Sequence, residues 1–214
     1  MIDLRGALKI GAVAVVAVLG MDRFAPSVTL ALLPHQTVAR PDPHVEPVQG
    51  ETENGERGFD IARGGRTFHI APRATYDISA KVVAREHFLA GSGALIPWDL
   101  ALVWGPLVDE PYRSKLSFFQ YARIITASWR VGSFDRDLIN AHMANNHLIP
   151  ATPGVLRAIA HIRTGDIVRL EGDLVDATAP GFEWRTSLTR TDTGLGACET
   201  IWVKAVTVET GRYE

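Results

Sequence analysis

The feature that most constrains the fold is the strict alternation of apolar and polar residues in two segments of the chain. In GDIVRLEGDLVDAT (165–178), uncharged residues occupy every second position from Val168 to Leu174, with charged residues between them. ATYDISAKVVARE (74–86) alternates in the same way. A repeat of two places apolar side chains on one face of a strand and polar ones on the other. Gly172 stands in the middle of the clearest strand, where a glycine marks a sharp bend or a close approach of another backbone.

The rest of the C-terminal two thirds of the chain also favours strands, with one main helix and a short helical turn at VLRAIAHI (155–162) among them. A helix is predicted over FDRDLINAHMANN (134–146), with Ser133 as its N-cap and acidic residues in its first turn. The prolines at 150 and 153 would prevent it from continuing. Further strands are predicted in PWDLALVWG (97–105), FEWRTSLTR (182–190) and CETIWVKAVTV (198–208). KLSFFQYARIITASWR (115–130) is expected to form one long strand that is bent or bulged, with a helix over part of it as the alternative.

This order of elements predicts an α+β domain that is mostly β. Three strands, a helix and then further strands are typical of a small curved antiparallel sheet or an OB-like barrel with one main helix. The organisation we expect is a hydrophobic segment at 1–33, a tether at 34–65 and a single β-rich globular domain at 66–214. The tether prediction rests on four prolines and the polar stretch GETENGERG, where no apolar periodicity survives.

The N-terminal segment indicates where the protein resides. Arg5 and Lys9 precede an apolar run over 10–21, which is shorter than the roughly 20 residues that a spanning helix needs. We expect an uncleaved signal anchor that holds the domain to the inner membrane, with the domain in the periplasm. The alternatives are a protein secreted after signal cleavage and a buried helix of a cytosolic protein.

Composition excludes some functions and leaves others open. With 22 Lys and Arg against 24 Asp and Glu, the chain has no basic surface of the kind that a nucleic-acid partner requires. A single cysteine allows no intramolecular disulfide and no paired-cysteine metal motif. The histidine spacing matches no metal motif either, so we predict no metal and no cofactor.

Four segments together carry a resemblance to other proteins. ANNHLIPA, GDIVRLEGDLVDA, WRTSLTRTDTGLGACE and WDLALVWGPLVDE, spread over roughly residues 70–205, resemble a group of bacterial hypothetical proteins with an N-terminal hydrophobic segment and no assigned activity. The resemblance implies an exported or anchored domain. It implies no catalytic or ligand-binding residue.

The one hypothesis of catalysis in this sequence concerns Cys198 and His147. A thiolate nucleophile needs an imidazole within hydrogen-bond reach and often a third group to orient the ring. The candidates for that third group are Asn145, Asn146, Asp192 and Glu199. No family-specific cysteine motif surrounds Cys198, however, and it opens an apolar strand. Each of these residues also has a structural explanation that involves no catalysis. Cys198 can be a packed thiol, His147 can hydrogen-bond backbone groups of its own loop, and Asp192 can belong to a turn at RTDTG.

A binding surface is the second hypothesis. Trp129 and Arg130, and likewise Trp184 and Arg185, place an aromatic and a cationic side chain next to each other on predicted strands, and Tyr121 and Arg123 are expected to share a strand face. OB-like barrels bind extended ligands on such surfaces. Either tryptophan is equally explained as a core residue.

The sequence therefore predicts a membrane-anchored extracytoplasmic binding or accessory module, a non-catalytic subunit that docks onto a larger membrane protein assembly. The alternative is a cysteine hydrolase or transferase that uses Cys198 and His147.

Overall fold

The computed structural model describes residues 39–52, 57–132, 134–189, 192 and 196–209, together with the backbone of 211–213. Strands predominate in these segments and helices are few. The helices are α1 (Tyr112–Lys115), α2 (Arg136–Ala141) and α3 (Pro153–His161), with single 3-10 turns at Gly91–Ala94 and Gly105–Val108. The strands are β1 (Val48–Gly50), β2 (Phe59–Arg63), β3 (Arg66–His87), β4 (Trp98–Val103), β5 (Ser117–Tyr121), β6 (Ile124–Ser128), β7 (Met143–Pro150), β8 (Ile167–Ala179), β9 (Phe182–Trp184), β10 (Glu199–Val208) and β11 (Gly211–Tyr213).

Five of the strands close into a ring. β3 pairs with β4 on one side and with β8 on the other, β4 pairs with β7, and β10 pairs with both β7 and β8. The order around the ring is therefore β3-β4-β7-β10-β8, with one parallel pairing, between β7 and β10. Closing a sheet in this way removes the free edges of its strands. β1, β2, β9 and β11 extend the sheet, and β5 and β6 form a separate two-stranded hairpin.

The alternation in the sequence determines which side chains fill the ring. The apolar residues that alternate with polar ones from Tyr76 to Val82 in β3 and from Val168 to Leu174 in β8 are buried, as the sequence predicted. The predicted set also included Ala84, which is only partly buried because the register shifts between Val82 and Ala84. The helix α3 adds its buried residues Val155, Ala158 and Ile159 to the same core. This helix begins where Thr152 caps it, since the Thr152 hydroxyl accepts a hydrogen bond from the Val155 amide at 3.1 Å. The main members of the core are Tyr76, Ile78, Ala80, Val82, Leu100, Leu102, Leu148, Val168, Leu170, Leu174, Ile201 and Val203.

The prediction for Gly172 is confirmed. A Cβ atom at this position would lie 2.0 Å from the carbonyl oxygen of Trp202 on the neighbouring strand β10. Gly172 pairs with Val203 on one side and with Tyr76 on the other. The backbones of β8 and β10 therefore approach each other so closely that only glycine fits between them.

The predicted helix over 134–146 is wrong beyond Ala141. Asp135 caps the short helix α2 by accepting a hydrogen bond from the amide of Asp137 at 2.9 Å, while Ser133 lies outside the described residues. The chain then enters β7, which is buried on both faces. A strand buried on both faces shows no alternation, and its sequence is easily mistaken for the end of a helix. The main helix is α3, which follows that strand.

Two further expectations need correction. The segment 115–130 is not one long strand, because Ala122 and Arg123 turn the chain between β5 and β6. The range 34–65, expected to be a tether, contains β1 and β2, which pair with β3. Backbone hydrogen bonds to β3 hold both strands in place, and β2 also packs Phe59 and Ile61 against the buried cluster around Phe68.

The expected hydrophobic segment at 1–33 lies outside the described residues. Among the residues that the structure describes, no helix combines the length and the apolar character needed to cross a bilayer.

Candidate functional site

Polar side chains converge on the outer face of β4 and β7. Asp99 lies directly opposite His147 in the register of the two strands, and Asn145 lies opposite Ala101. Their sequence neighbours Leu100 and Leu148 point into the core of the ring, so these polar side chains point away from it. Asp99, Asn145 and His147 are nevertheless buried. Another part of the chain must therefore cover this face.

The tip of the β5–β6 hairpin provides part of that cover. Its two turn residues, Ala122 and Arg123, have φ angles of 50° and 65°. Both angles lie in the left-handed region that glycine and asparagine favour in such turns, and each costs of order 1–2 kcal/mol for other residues. Backbone strain of this kind persists only where surrounding contacts compensate for it.

Arg123 makes the contacts that compensate for the strain. Its Nη1 donates to Asp99 Oδ1 at 2.7 Å, and its Nη2 donates to the carbonyl oxygen of Ile96 at 3.1 Å. The guanidinium carbon lies 3.5 Å from the ring centre of Phe88 and 5.3 Å from that of Trp184. Burial lowers the pKa of Arg123, and the facing carboxylate of Asp99 raises it in partial compensation.

Asn145 joins the hairpin to the barrel. Its Nδ2 donates to Asp99 Oδ2 at 3.2 Å and to the main-chain oxygen of Arg123 at 2.8 Å, and its Oδ1 accepts from Gln120 Nε2 at 2.5 Å. Both N–H groups and the oxygen of the Asn145 amide are therefore hydrogen-bonded within the protein.

His147 completes the group. Its Nδ1 lies 3.0 Å from Asp99 Oδ2, which identifies this nitrogen as the one that carries the proton. Trp184 packs on the imidazole in a T-shaped arrangement, with ring centres 4.9 Å apart. The carboxylate of Asp99 is thus held by an arginine, a histidine and an asparagine at once. We call Asp99, Arg123, Asn145 and His147 the polar cluster.

Cys198 lies at the border of the polar cluster. Because Glu199 pairs with Asn146 in the parallel register, Cys198 stands beside Asn145 and two positions before Thr200, the residue opposite His147. Its Sγ donates to the main-chain oxygen of Arg123 at 3.6 Å. Burial, together with the nearby carboxylates, raises the pKa of Cys198 to about 12. At neutral pH the thiol is therefore protonated.

The third member of the predicted catalytic set does not join the pair. Asp192 Oδ2 accepts a hydrogen bond from the Ser187 hydroxyl at 2.7 Å. His147 is oriented by Asp99 instead. Asp192 and Cys198 nevertheless both line one cavity, which lies beside the polar cluster and has a volume of about 380 Å3.

The predicted tryptophan–arginine pairs are divided between different environments. Trp129 packs against the core cluster around Leu107 and lines the cavity, while its neighbour Arg130 is exposed. Trp184 packs against His147, while Arg185 is exposed and pairs with Glu183 at 2.6 Å. Neither pair forms a joint aromatic and cationic surface, because successive side chains of an extended chain point in opposite directions.

The expectation that Tyr121 and Arg123 share a strand face is wrong. Tyr121 ends β5 and is 72% exposed, stacking on Phe119 with ring centres 6.4 Å apart. Arg123 belongs to the turn and points inward to Asp99. The hairpin thus presents aromatic rings outward and an arginine inward.

Sequence reasoning missed Asp99 and Gln120. Asp99 could have been found, because it is the lone charged residue in the otherwise apolar strand β4, and a carboxylate is buried only when it is paired. Gln120 carried no such signal.

No set of three or more histidine, cysteine, aspartate or glutamate side chains in the described part of the chain is arranged to hold a metal ion. Comparison of the chain with protein-family models, with curated proteins and with solved structures finds no match.

Proposed function

We propose that the protein is a non-catalytic binding or accessory module, anchored in the inner membrane with its domain in the periplasm, and that it docks onto a larger membrane protein assembly. The anchor rests on the basic residues and apolar run at the N-terminus. The domain is an OB-like barrel in this proposal. The ring order supports it, since the third and fifth ring strands of the chain are adjacent and α3 lies between the third and fourth.

The observation that carries the proposal is the β5–β6 hairpin. Phe119 and Tyr121 are 65% and 72% exposed and stack on each other. Exposed aromatic side chains are enriched at the centres of protein interfaces, where they contribute large contact area at small entropic cost. Arg123 holds the hairpin to the barrel from the opposite side, so the two rings are presented on a fixed support.

The position of the hairpin agrees with this role. It lies against the outer face of β4 and β7, the second and third ring strands, which is the face that OB-like barrels use for binding. In this chain the tip of the hairpin covers part of that face. We therefore assign the docking surface to the outward-facing rings of Phe119 and Tyr121 on the hairpin, rather than to the covered face of β4 and β7.

The state of Cys198 argues against the alternative of a cysteine hydrolase or transferase. A nucleophilic cysteine has a pKa lowered by a cation or an imidazole, whereas burial raises that of Cys198 to about 12. We expect the Cys198→Ser variant to retain function and the native thiol to react slowly with iodoacetamide. Fast alkylation at neutral pH that is lost in the His147→Ala variant would favour the enzyme.

Co-purification from membranes tests the proposal. The full-length protein is cross-linked in cells, extracted with detergent and isolated, and its bound proteins are identified by mass spectrometry. We expect a defined set of membrane proteins, lost when Phe119 and Tyr121 are both replaced by serine. Leu89→Ser is the control, because Leu89 is 88% exposed but lies outside the hairpin. A protein found free in the cytosol, or a partner set unchanged by the double substitution, would refute the proposal.

A further inference from the structure

The cavity beside the polar cluster has the size of a small-molecule site. It lies between β6, α2, the start of β7 and the segment that ends at Cys198, and its volume is about 380 Å3. Pockets for small ligands span about 300–1,000 Å3. The docking surface on the hairpin is separate, since neither Phe119 nor Tyr121 lines the cavity.

Among the described residues, the lining of the cavity combines one aromatic side chain with several polar groups. Trp129 is the aromatic residue among the described lining residues. Arg136 and Asn140 also line it, and neither side chain has a hydrogen-bond partner among the residues that the structure describes. Asp192 uses one carboxylate oxygen for Ser187, which leaves the other to accept a second bond. Guanidinium, amide and carboxylate groups are therefore available to a ligand.

The charges and shapes of these groups select among ligand classes. The single positive charge of Arg136 is matched by the single negative charge of Asp192, so the cavity does not favour an ion. A purely apolar ligand would bury these polar groups without partners, at a cost in free energy.

We infer that the cavity binds a neutral saccharide of one or two sugar units. A sugar ring has an apolar face of C–H groups that packs on an indole, here that of Trp129. Its hydroxyl groups both donate and accept, which matches a guanidinium and an amide as donors and a carboxylate as acceptor. Arg136, Asn140 and Asp192 supply these groups around the rim. This site goes beyond the proposed docking function, because it recognises a small molecule at different residues.

Calorimetric titration of the full-length protein tests the inference. The protein is kept in lauryldimethylamine oxide, which has no sugar headgroup, and is titrated with N,N′-diacetylchitobiose and with cellobiose. We expect at least one disaccharide to bind with a stoichiometry of one and to slow the alkylation of Cys198, which lines the same cavity. Trp129→Ala and Arg136→Gln should each weaken binding at least tenfold, and Arg130→Gln should leave it unchanged, because Arg130 does not line the cavity.

Each other outcome overturns the inference. Binding of neither disaccharide excludes the saccharide, and binding of only glycylglycine or adenosine identifies a different ligand class. Wild-type affinity in Arg136→Gln places the ligand elsewhere, and this exposed substitution remains informative if Trp129→Ala fails to fold. The Phe119→Ser, Tyr121→Ser double variant should still bind the disaccharide, so failure of the docking function and failure of this site are distinguishable.

Discussion

The ion pair between Arg123 and Asp99 provides the most direct test of how the hairpin is held. Asp99 is fully buried and the Arg123 side chain is 12% exposed, with 2.7 Å between Nη1 and Oδ1. Removing one partner of a buried pair typically costs about 3–5 kcal/mol, because a charge stays buried without compensation. His147 and Asn145 still bond the carboxylate in Arg123→Met. We therefore expect a loss at the lower end, about 3 kcal/mol in the free energy of unfolding.

Urea and thermal unfolding followed by tryptophan fluorescence measure this loss. For a domain of this size, about 3 kcal/mol corresponds to a decrease in Tm of roughly 6–12 °C. The Asp99→Asn, Arg123→Met double variant should lose less than the single Arg123→Met variant, because it leaves no buried charge unpaired. Arg130→Met is the matched control, an exposed arginine just beyond the hairpin, and we expect a change within about 0.5 kcal/mol.

The reasoning is refuted by either of two results. One is an Arg123→Met variant whose free energy of unfolding differs from wild type by no more than the Arg130→Met control. The other is a double variant whose loss equals the sum of the two single losses, since strict additivity would mean that Arg123 and Asp99 do not interact.

Two further predictions concern backbone packing and the thiol. Gly172→Ala should lower the free energy of unfolding by more than about 3 kcal/mol or abolish folding, because its Cβ meets the backbone of Trp202 at 2.0 Å. Gly50→Ala, whose Cβ meets only a threonine hydroxyl at 2.9 Å, should cost far less, and equal losses in denaturant unfolding would contradict the close approach. Burial raises the pKa of Cys198 from its ordinary 9.0 to about 12, so the stability that the neutral thiol contributes below pH 9 should be lost as the pH rises towards 12. Cys198→Ser should therefore lose less stability than wild type over that pH window in parallel denaturant titrations, and identical pH profiles would show that the thiol is not buried.

Local sequence patterns were sufficient for the inner faces of two of the five ring strands, β3 and β8. The alternation in β3 and β8 identified their buried faces, because a strand with one wet and one dry face must repeat every two residues. Gly172 was recognisable for a related reason, since a glycine in a strongly patterned strand indicates that a side chain has no room.

The candidate site was only partly predictable. Cys198, Asp192 and Trp129 were singled out from the sequence and line one cavity, and His147 and Arg123 lie beside it. The chemistry assigned to them changed once their neighbours were known. Asp99, which orients both His147 and Arg123, is 24 residues from the second and 48 from the first, and no local pattern links residues at such distances.

What the sequence alone determined is the β character of the domain and the faces of the strands whose pattern is periodic. The tertiary structure decided the rest. It made a strand of β7, whose two buried faces erase the alternation, and it turned the chain at Ala122 and Arg123, where no glycine, asparagine or proline marks a turn. The strain of that turn is compensated by contacts that are distant in the sequence, among them those to Asp99 on β4 and Asn145 on β7. A conformation that distant contacts stabilise leaves no trace in the residues that adopt it.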